Sequence, residues 1–282
     1  MKKFEYLFKI LIQDSVINEK HQVIRPSPIT LEECHSVHSA EYVTNFFNGL
    51  TSEKEQRVTG FKWTTGLVDR VRYETGGTLL AAKLCLDRGL VCSTGGGTHH
   101  AFPDHGSGFC LINDMAVTAR QMINKKFVSK VFIVDLDVHQ GDGTAFIFKD
   151  TPEIFTFSVH CRTNFPLRKQ KSDFDLEIEP HAGDDQYLSL LEDILPPLLD
   201  SFRPDLVLYD AGVDTHQCDL LGKLDMTSEG LYRRDIYVLK TALCRGIPVA
   251  TVIGGGYDEI HQLSARHTIV HRASTDIWNN YL

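Results

Sequence analysis

Four short runs of apolar, largely β-branched residues constrain this chain most: Lys130 to Val134, Ile154 to Val159, Asp205 to Tyr209 and Pro248 to Ile253. Each has the length of a strand, and its apolar character is continuous rather than alternating, as expected of parallel strands covered on both faces. Stretches with helical spacing lie around and between them: Leu31 to Phe47, Arg72 to Leu86, Asn113 to Ile123, Asp184 to Leu199, Ser228 to Leu243, and a last one starting at Glu259. Strands alternating with helices predict an α/β fold, three-layer α/β/α, with a central, mostly parallel doubly wound sheet. The opening MKKFEYLFKILI mixes apolar and basic residues at helical spacing and lacks an uninterrupted apolar stretch with a cleavage site. It reads as an amphipathic helix packed on the core, not as a targeting segment.

With 282 residues, 42% of them hydrophobic, the chain can bury one large core, so residues 1–282 are expected to form a single domain. The charged segment Arg168 to Glu179 reads as a surface loop within it. A formal charge of -8 argues against a direct nucleic-acid partner, because neutralising phosphates takes a concentrated surplus of Lys and Arg, and suits a cationic substrate better. No stretch approaches the roughly 18 apolar residues that span a bilayer, so no membrane partner is expected. Seven cysteines at long intervals, without a CxxC pair, fit reduced thiols and a cytoplasmic or nuclear, soluble protein.

The unusual residues follow the predicted strands directly, in Asp135 to Gly143, Asp210 to Gly222 and Gly254 to Tyr257, at the carboxyl edge where open parallel sheets bind ligands. In Val134-Asp135-Leu136-Asp137-Val138-His139-Gln140-Gly141-Asp142-Gly143, four ionisable groups leave a hydrophobic strand within a few residues. Burying them is costly unless something pairs with them, and a metal does so economically. Asp137 and His139, two apart in extended chain, project to the same side, and Asp214 in Asp210-Ala211-Gly212-Val213-Asp214 is the best third ligand. Two carboxylates and one imidazole leave positions open for water and substrate, as in a catalytic site; zinc is the first choice and iron(II) suits the same ligands. A lone Asp in such a place would be read as a helix cap or turn residue.

Gly95-Gly96-Gly97-Thr98-His99-His100-Ala101 is glycine-rich but has neither GK[ST] nor GxGxxG, so it is not a phosphate loop. Beside a metal loop, two imidazoles are natural acid and base groups, each needing a carboxylate to fix its tautomer; Asp135 and Asp142 are unspent. Ile253-Gly254-Gly255-Gly256-Tyr257 delivers a phenol to the same edge, able to donate a hydrogen bond to a developing oxyanion. Alone, a Tyr there would be read as capping the core.

Taken in order, GGGTHHAFPDHGSGFCLIND, DLDVHQGDG, DAGVD and GGGY resemble the histone deacetylase family over roughly residues 30 to 272, most closely its class IV branch. The resemblance implies the arginase/deacetylase fold and hydrolysis of the amide of an acylated lysine, acetyl or longer fatty acyl, in a peptide or protein such as a histone. It implies zinc held by Asp137, His139 and Asp214, with His100 as general base and acid and His99 as its electrostatic partner. Asp135 would orient His99, Asp142 would orient His100, and Tyr257 would polarise the acyl carbonyl. Gly108 and Phe109 match one wall of the acyl channel, Phe165 the opposite wall, and Leu221 the rim. A structural potassium ion is implied as well, on the Asp135 side chain, the carbonyls of Asp137, His139 and Val159, and the Ser158 hydroxyl.

Gln140 stands where many relatives carry a second histidine, at a position that is not a metal ligand. The family's first N-terminal strand, with its His-Pro or His-Arg-Phe-Pro segment, is expected to be lacking. An acylpolyamine or other small-molecule amide is the alternative substrate. A ureohydrolase reading would need a bridging carboxylate two residues after His139, where this chain has Gly141, and a non-catalytic acyl-lysine binder would be signalled by a lost Tyr, His or ligand, whereas each is present.

Overall fold

The computed structural model describes residues 2–282. Helices α1 (Lys2–Gln13), α2 (Glu19–Gln22), α3 (Leu31–Cys34), α4 (Ala40–Asn48), α5 (Glu53–Thr59) and α6 (Thr65–Arg88) precede strand β1 (Leu90–Cys92). There follow α7 (Asp114–Asn124), β2 (Val131–Asp135), α8 (Asp142–Phe148), β3 (Ile154–Cys161), β4 (Phe174–Ile178), α9 (Asp184–Phe202), β5 (Leu206–Asp210), α10 (Ser228–Leu243), β6 (Val249–Val252) and α11 (Ile260–Tyr281).

The strands form a six-stranded sheet in the order β1-β6-β5-β2-β3-β4, with every neighbouring pair parallel. Because successive strand residues point to opposite faces, the apolar runs feed two separate cores. Phe132, Val134, Val207 and Tyr209 join α1, α9, α10 and α11 on one face. Val131, Ile133, Leu206 and Leu208 join α4, α6 and α7 on the other. Truncating a residue so enclosed, as in Phe132→Ala, is expected to cost about 3–5 kcal/mol. From β2 the chain winds outward through β3 and β4, then returns to β5 on the other side of β2. The crevice between β2 and β5 is therefore the topological switch point, and Asp135 and Asp210 face each other in register at its carboxyl end.

The α/β reading holds, as does the amphipathic first helix, which buries Leu7 and Leu11. Two expectations are corrected. The segment 168–179 is not all loop: Phe174, Leu176 and Ile178 alternate with Asp175 and Glu177, and this period-two pattern forms edge strand β4 on β3. The helix expected over 31–47 is broken. A Thr30/Glu33 capping box starts α3, Ser39 caps α4, and between them the His38 ring bridges the carbonyl of Phe102 and the N–H of Asn113. That tertiary anchor outweighs the local helical pattern. All seven cysteines are free thiols, and among the described residues no helix is long and apolar enough to cross a membrane.

Candidate functional site

Past β2 the chain is not extended as expected but bends through Asp137, Val138 and His139; Asp137 and His139 still come together, and Asp214 reaches them from the loop after β5. One donor atom from each of these three buried residues lies within 4.8 Å of the others. His139 Nδ1 is 2.9 Å from Asp137 Oδ1 and 3.2 Å from Asp214 Oδ2. Burial alone would keep this ring neutral, but the two carboxylates outweigh it and push its pKa up to about 10. Burial and the charge of Asp137 push Asp214 up to about 7. Two buried carboxylates facing one ring nitrogen, which can offer only one of them a proton, make a field that favours a cation, and the donor set fits a divalent metal. The backbone closes tightly on this set. Gly255 N–H donates to Asp137 Oδ2 at 2.8 Å, and a Cβ on Gly255 would stand 2.3 Å from Asp214 Oδ2.

The two imidazoles stand beside the triad with their Nε2 atoms 3.1 Å apart. His99 Nδ1 lies 2.7 Å from Asp135 Oδ2 and His100 Nδ1 lies 2.6 Å from Asp142 Oδ1. Their environments drive them apart. Burial favours neutral rings in both, yet the Asp135 and Asp137 carboxylates hold His99 well above the ordinary imidazole range. For His100, burial and the neighbouring His99 charge prevail over Asp142 and push the pKa down to about 4. His100 is thus neutral and, with Nδ1–H donating to Asp142, carries its lone pair on Nε2. Tyr257 is kept a neutral phenol by burial and by the charges of Asp137 and Asp214. Its ring lies 6.0 Å from that of His139 and 5.8 Å from that of Phe109.

The residues expected to wall a channel also gather here. The Phe165 ring meets the His100 ring edge-on at 4.9 Å. Gly108 has φ +49°, and a Cβ there would lie 2.5 Å from the His100 ring, so a side chain at this position would displace that ring. The Leu221 carbonyl is held by Asn164 Nδ2 at 2.9 Å, and Phe109, Phe165 and Leu221 are each exposed at the surface end. Across strands β2 and β3, Ser158 is in register with Asp135, and its hydroxyl is 2.9 Å from His160 Nδ1; Val159 beside it is buried. Gln140 turns away from the triad, donating to the Gln170 carbonyl and Asp175 at 2.8 Å each.

Two residues outside the expected set, Asp114 and Asp219, support this site. Asp114, at the start of α7, accepts from the N–H groups of Gly97 and Thr98 and from the Thr98 and Thr78 hydroxyls, fixing the glycine loop that carries both histidines. Asp219 accepts the Tyr257 N–H at 2.7 Å and those of Leu221 and Gly222, tying the tyrosine loop to the Leu221–Gly222 turn. Asp-rich turns and helix starts were the available signal, but their partners are remote in sequence. Asp210 is fully buried, and neither of its oxygens has a hydrogen-bond partner; burial and nearby Asp135 raise its pKa well above the carboxylate range.

Fold and site together define a parallel α/β protein with a candidate metal centre and an imidazole pair at the switch point of its sheet. The histone deacetylase domain model matches residues 1–273. This chain belongs to the histone deacetylase family. It is 50% identical to an uncharacterized protein of Picosynechococcus sp. over 99% of this chain and 93% of that one. It is 30% identical to histone deacetylase 2 of Arabidopsis thaliana (90% and 68%) and to the acetoin utilization protein AcuC of Staphylococcus aureus (88% and 69%). The crystal structure of the HDA15 HD domain shares the fold, with a TM-score of 0.83 at 24% identity over 98% of this chain and 81% of that one.

Proposed function

We propose that this chain is a zinc-dependent lysine deacylase that hydrolyses the amide between an acyl group, acetyl or longer, and the side chain of a lysine in a peptide or protein such as a histone. The observation that carries the reading is the His100 ring, its Nδ1 held by Asp142 and its Nε2 3.1 Å from that of His99, set beside the converging donors of Asp137, His139 and Asp214. The histone deacetylase domain match and the name of the Arabidopsis relative support the same reaction class.

Held by Asp137, His139 and Asp214, zinc would supply Lewis-acid polarisation of the acyl carbonyl and make water a stronger nucleophile at neutral pH. His100 accepts the attacking water's proton at Nε2 and returns it to the leaving lysine amine. The Tyr257 hydroxyl donates to the acyl oxygen as charge gathers there. His99, held by Asp135, keeps a positive charge beside His100 and so limits that ring's basicity until the proton is needed. Phe109 and Phe165 flank a thin apolar stem, Gly108 lets the channel approach His100, and Leu221 meets the substrate at the rim. Asp135 and Ser158, with the carbonyls of Asp137, His139 and Val159, would hold a structural potassium ion. Gly141, where a ureohydrolase needs a second bridging carboxylate, favours a single-metal site; a Cβ there would already lie 2.2 Å from Asp135 Oδ2.

The test is turnover of acetyl-lysine and myristoyl-lysine peptides by metal-free protein reconstituted with zinc or with iron(II), beside His100→Ala and Tyr257→Phe. Wild-type turnover at least about 100-fold above His100→Ala is expected. A wild type no faster than either variant on both peptides would end the deacylase reading.

A further inference from the structure

Helix α10 packs on the sheet face that carries α9 and α11, and it buries an arginine there completely: Arg234 has no exposed surface. Its Nη1 donates to the Leu136 carbonyl at 3.2 Å, the Gly212 carbonyl at 2.8 Å and the Thr215 hydroxyl at 3.3 Å. Leu136 lies between Asp135 and Asp137 in the loop after β2. Gly212 lies between Asp210 and Asp214 in the loop after β5. One guanidinium therefore holds backbone carbonyls from both loops that carry the candidate ligands. On its other side, Nε donates to Asp235 Oδ1 at 3.0 Å, and the same oxygen accepts the Tyr209 hydroxyl from β5 at 2.5 Å.

We propose that Arg234 is a positioning residue for the metal centre, fixing the separation of Asp137 and Asp214 by clamping their two loops. Core packing alone does not explain an arginine here, because a buried ion pair is commonly matched or bettered in stability by apolar side chains of similar volume. A hydrophobe, however, cannot satisfy two inward-facing carbonyls at once, and lysine, a point charge on a flexible stem, lacks the fork that spans them while also meeting Asp235. The two loops are close enough for the clamp to matter: a Cβ on Gly212 would lie 2.8 Å from the Asp137 Cα. They also touch through the Val138 N–H, which donates to Asp214 Oδ1 at 2.8 Å, so a slip of one loop against the other displaces a ligand directly.

This inference rests on the metal reading above, and the experiment separates the two. Zinc and cobalt(II) dissociation constants are measured by chelator competition on metal-free wild type, Arg234→Lys, Arg234→Met with Asp235→Asn, and a control, Leu195→Ala, that weakens the core of α9 away from both loops. All are held at a temperature where circular dichroism shows them folded. Arg234→Lys is expected to weaken both ions by about 10–100-fold, the range typical of residues that orient metal ligands, and the double variant likewise, which keeps the test valid if the lysine variant does not fold. Leu195→Ala is expected to melt at lower temperature with affinities within about twofold of wild type. Arginine variants that melt early but bind as tightly as wild type would overturn the clamp and leave the metal reading standing. A wild type that binds neither ion would overturn the metal reading itself, and the clamp with it.

Discussion

Replacing Tyr257 by phenylalanine removes one oxygen and little else. The ring keeps its neighbours Phe109 and His139, and the backbone N–H stays on Asp219, so the loop has no reason to move. Among the described residues the hydroxyl has no hydrogen-bond partner, so its loss is expected to change folding stability by no more than about 0.5 kcal/mol, as for substitutions that break no internal contact. Catalysis should respond very differently. Burial and two nearby carboxylates keep the phenol protonated across the working pH range, so in the wild type it is always a donor. A donor aimed at a developing oxyanion commonly contributes about 2.7–4 kcal/mol, or about 100–1,000-fold in kcat. Because the bond strengthens only as charge develops, KM should stay within a few-fold while kcat falls. Steady-state kinetics on an acetyl-lysine peptide at saturating zinc, with thermal melts of both proteins, measures each arm. A Tyr257→Phe enzyme within about threefold of wild-type kcat would refute the role, and a large drop in melting temperature would show that the hydroxyl has a structural partner instead.

Asp219→Ala releases the N–H groups of Tyr257, Leu221 and Gly222 together, so kcat/KM is expected to fall by about tenfold or more through loss of positioning, with metal affinity unchanged; unchanged kinetics would remove Asp219 from the account. Gly255→Ala places a Cβ 2.3 Å from Asp214 Oδ2 and 2.4 Å from Asp137 Oδ2, and chelator competition should report zinc binding weakened by at least about tenfold, as when an orienting partner of a metal ligand is lost; wild-type affinity would show that the backbone does not confine these ligands. Acid should destabilise the fold through its buried histidines. His271 is pushed down to about 4 by burial, so between its unfolded value near 6.5 and that point the unfolded chain binds the extra proton; stability is complete above about pH 6.5 and lost as pH falls toward 4. Urea unfolding at pH 7.5 and 5.0 should show His271→Leu losing about 2 kcal/mol less than wild type, and equal losses would reject the linkage.

Much of the site was legible because its chemistry is concentrated in short segments. Asp135, Asp137, His139 and Asp142 fall within eight residues at the end of one strand, close enough in sequence to be read as one cluster. The sheet was legible where apolar runs are continuous and obscure where they are not: β4 hides its Phe174, Leu176 and Ile178 among acids, and β1 has only three residues. The break between α3 and α4 could not be read locally, because what holds it is His38 bridging to Phe102 and Asn113, residues distant in sequence. The same reason hid Asp114, Asp219 and Arg234. Each looks like a cap, a turn residue or a helical charge until the fold brings a remote loop's N–H or carbonyl groups against it, and backbone partners leave no mark in the sequence.

The central claim is that Asp137, His139 and Asp214 hold one catalytic divalent ion. Elemental analysis of purified, active protein, set beside Asp214→Ala prepared identically, tests it most directly. A single equivalent of zinc or iron per active chain, absent from the variant together with its activity, is the expected result; full activity in protein free of any transition metal would contradict it.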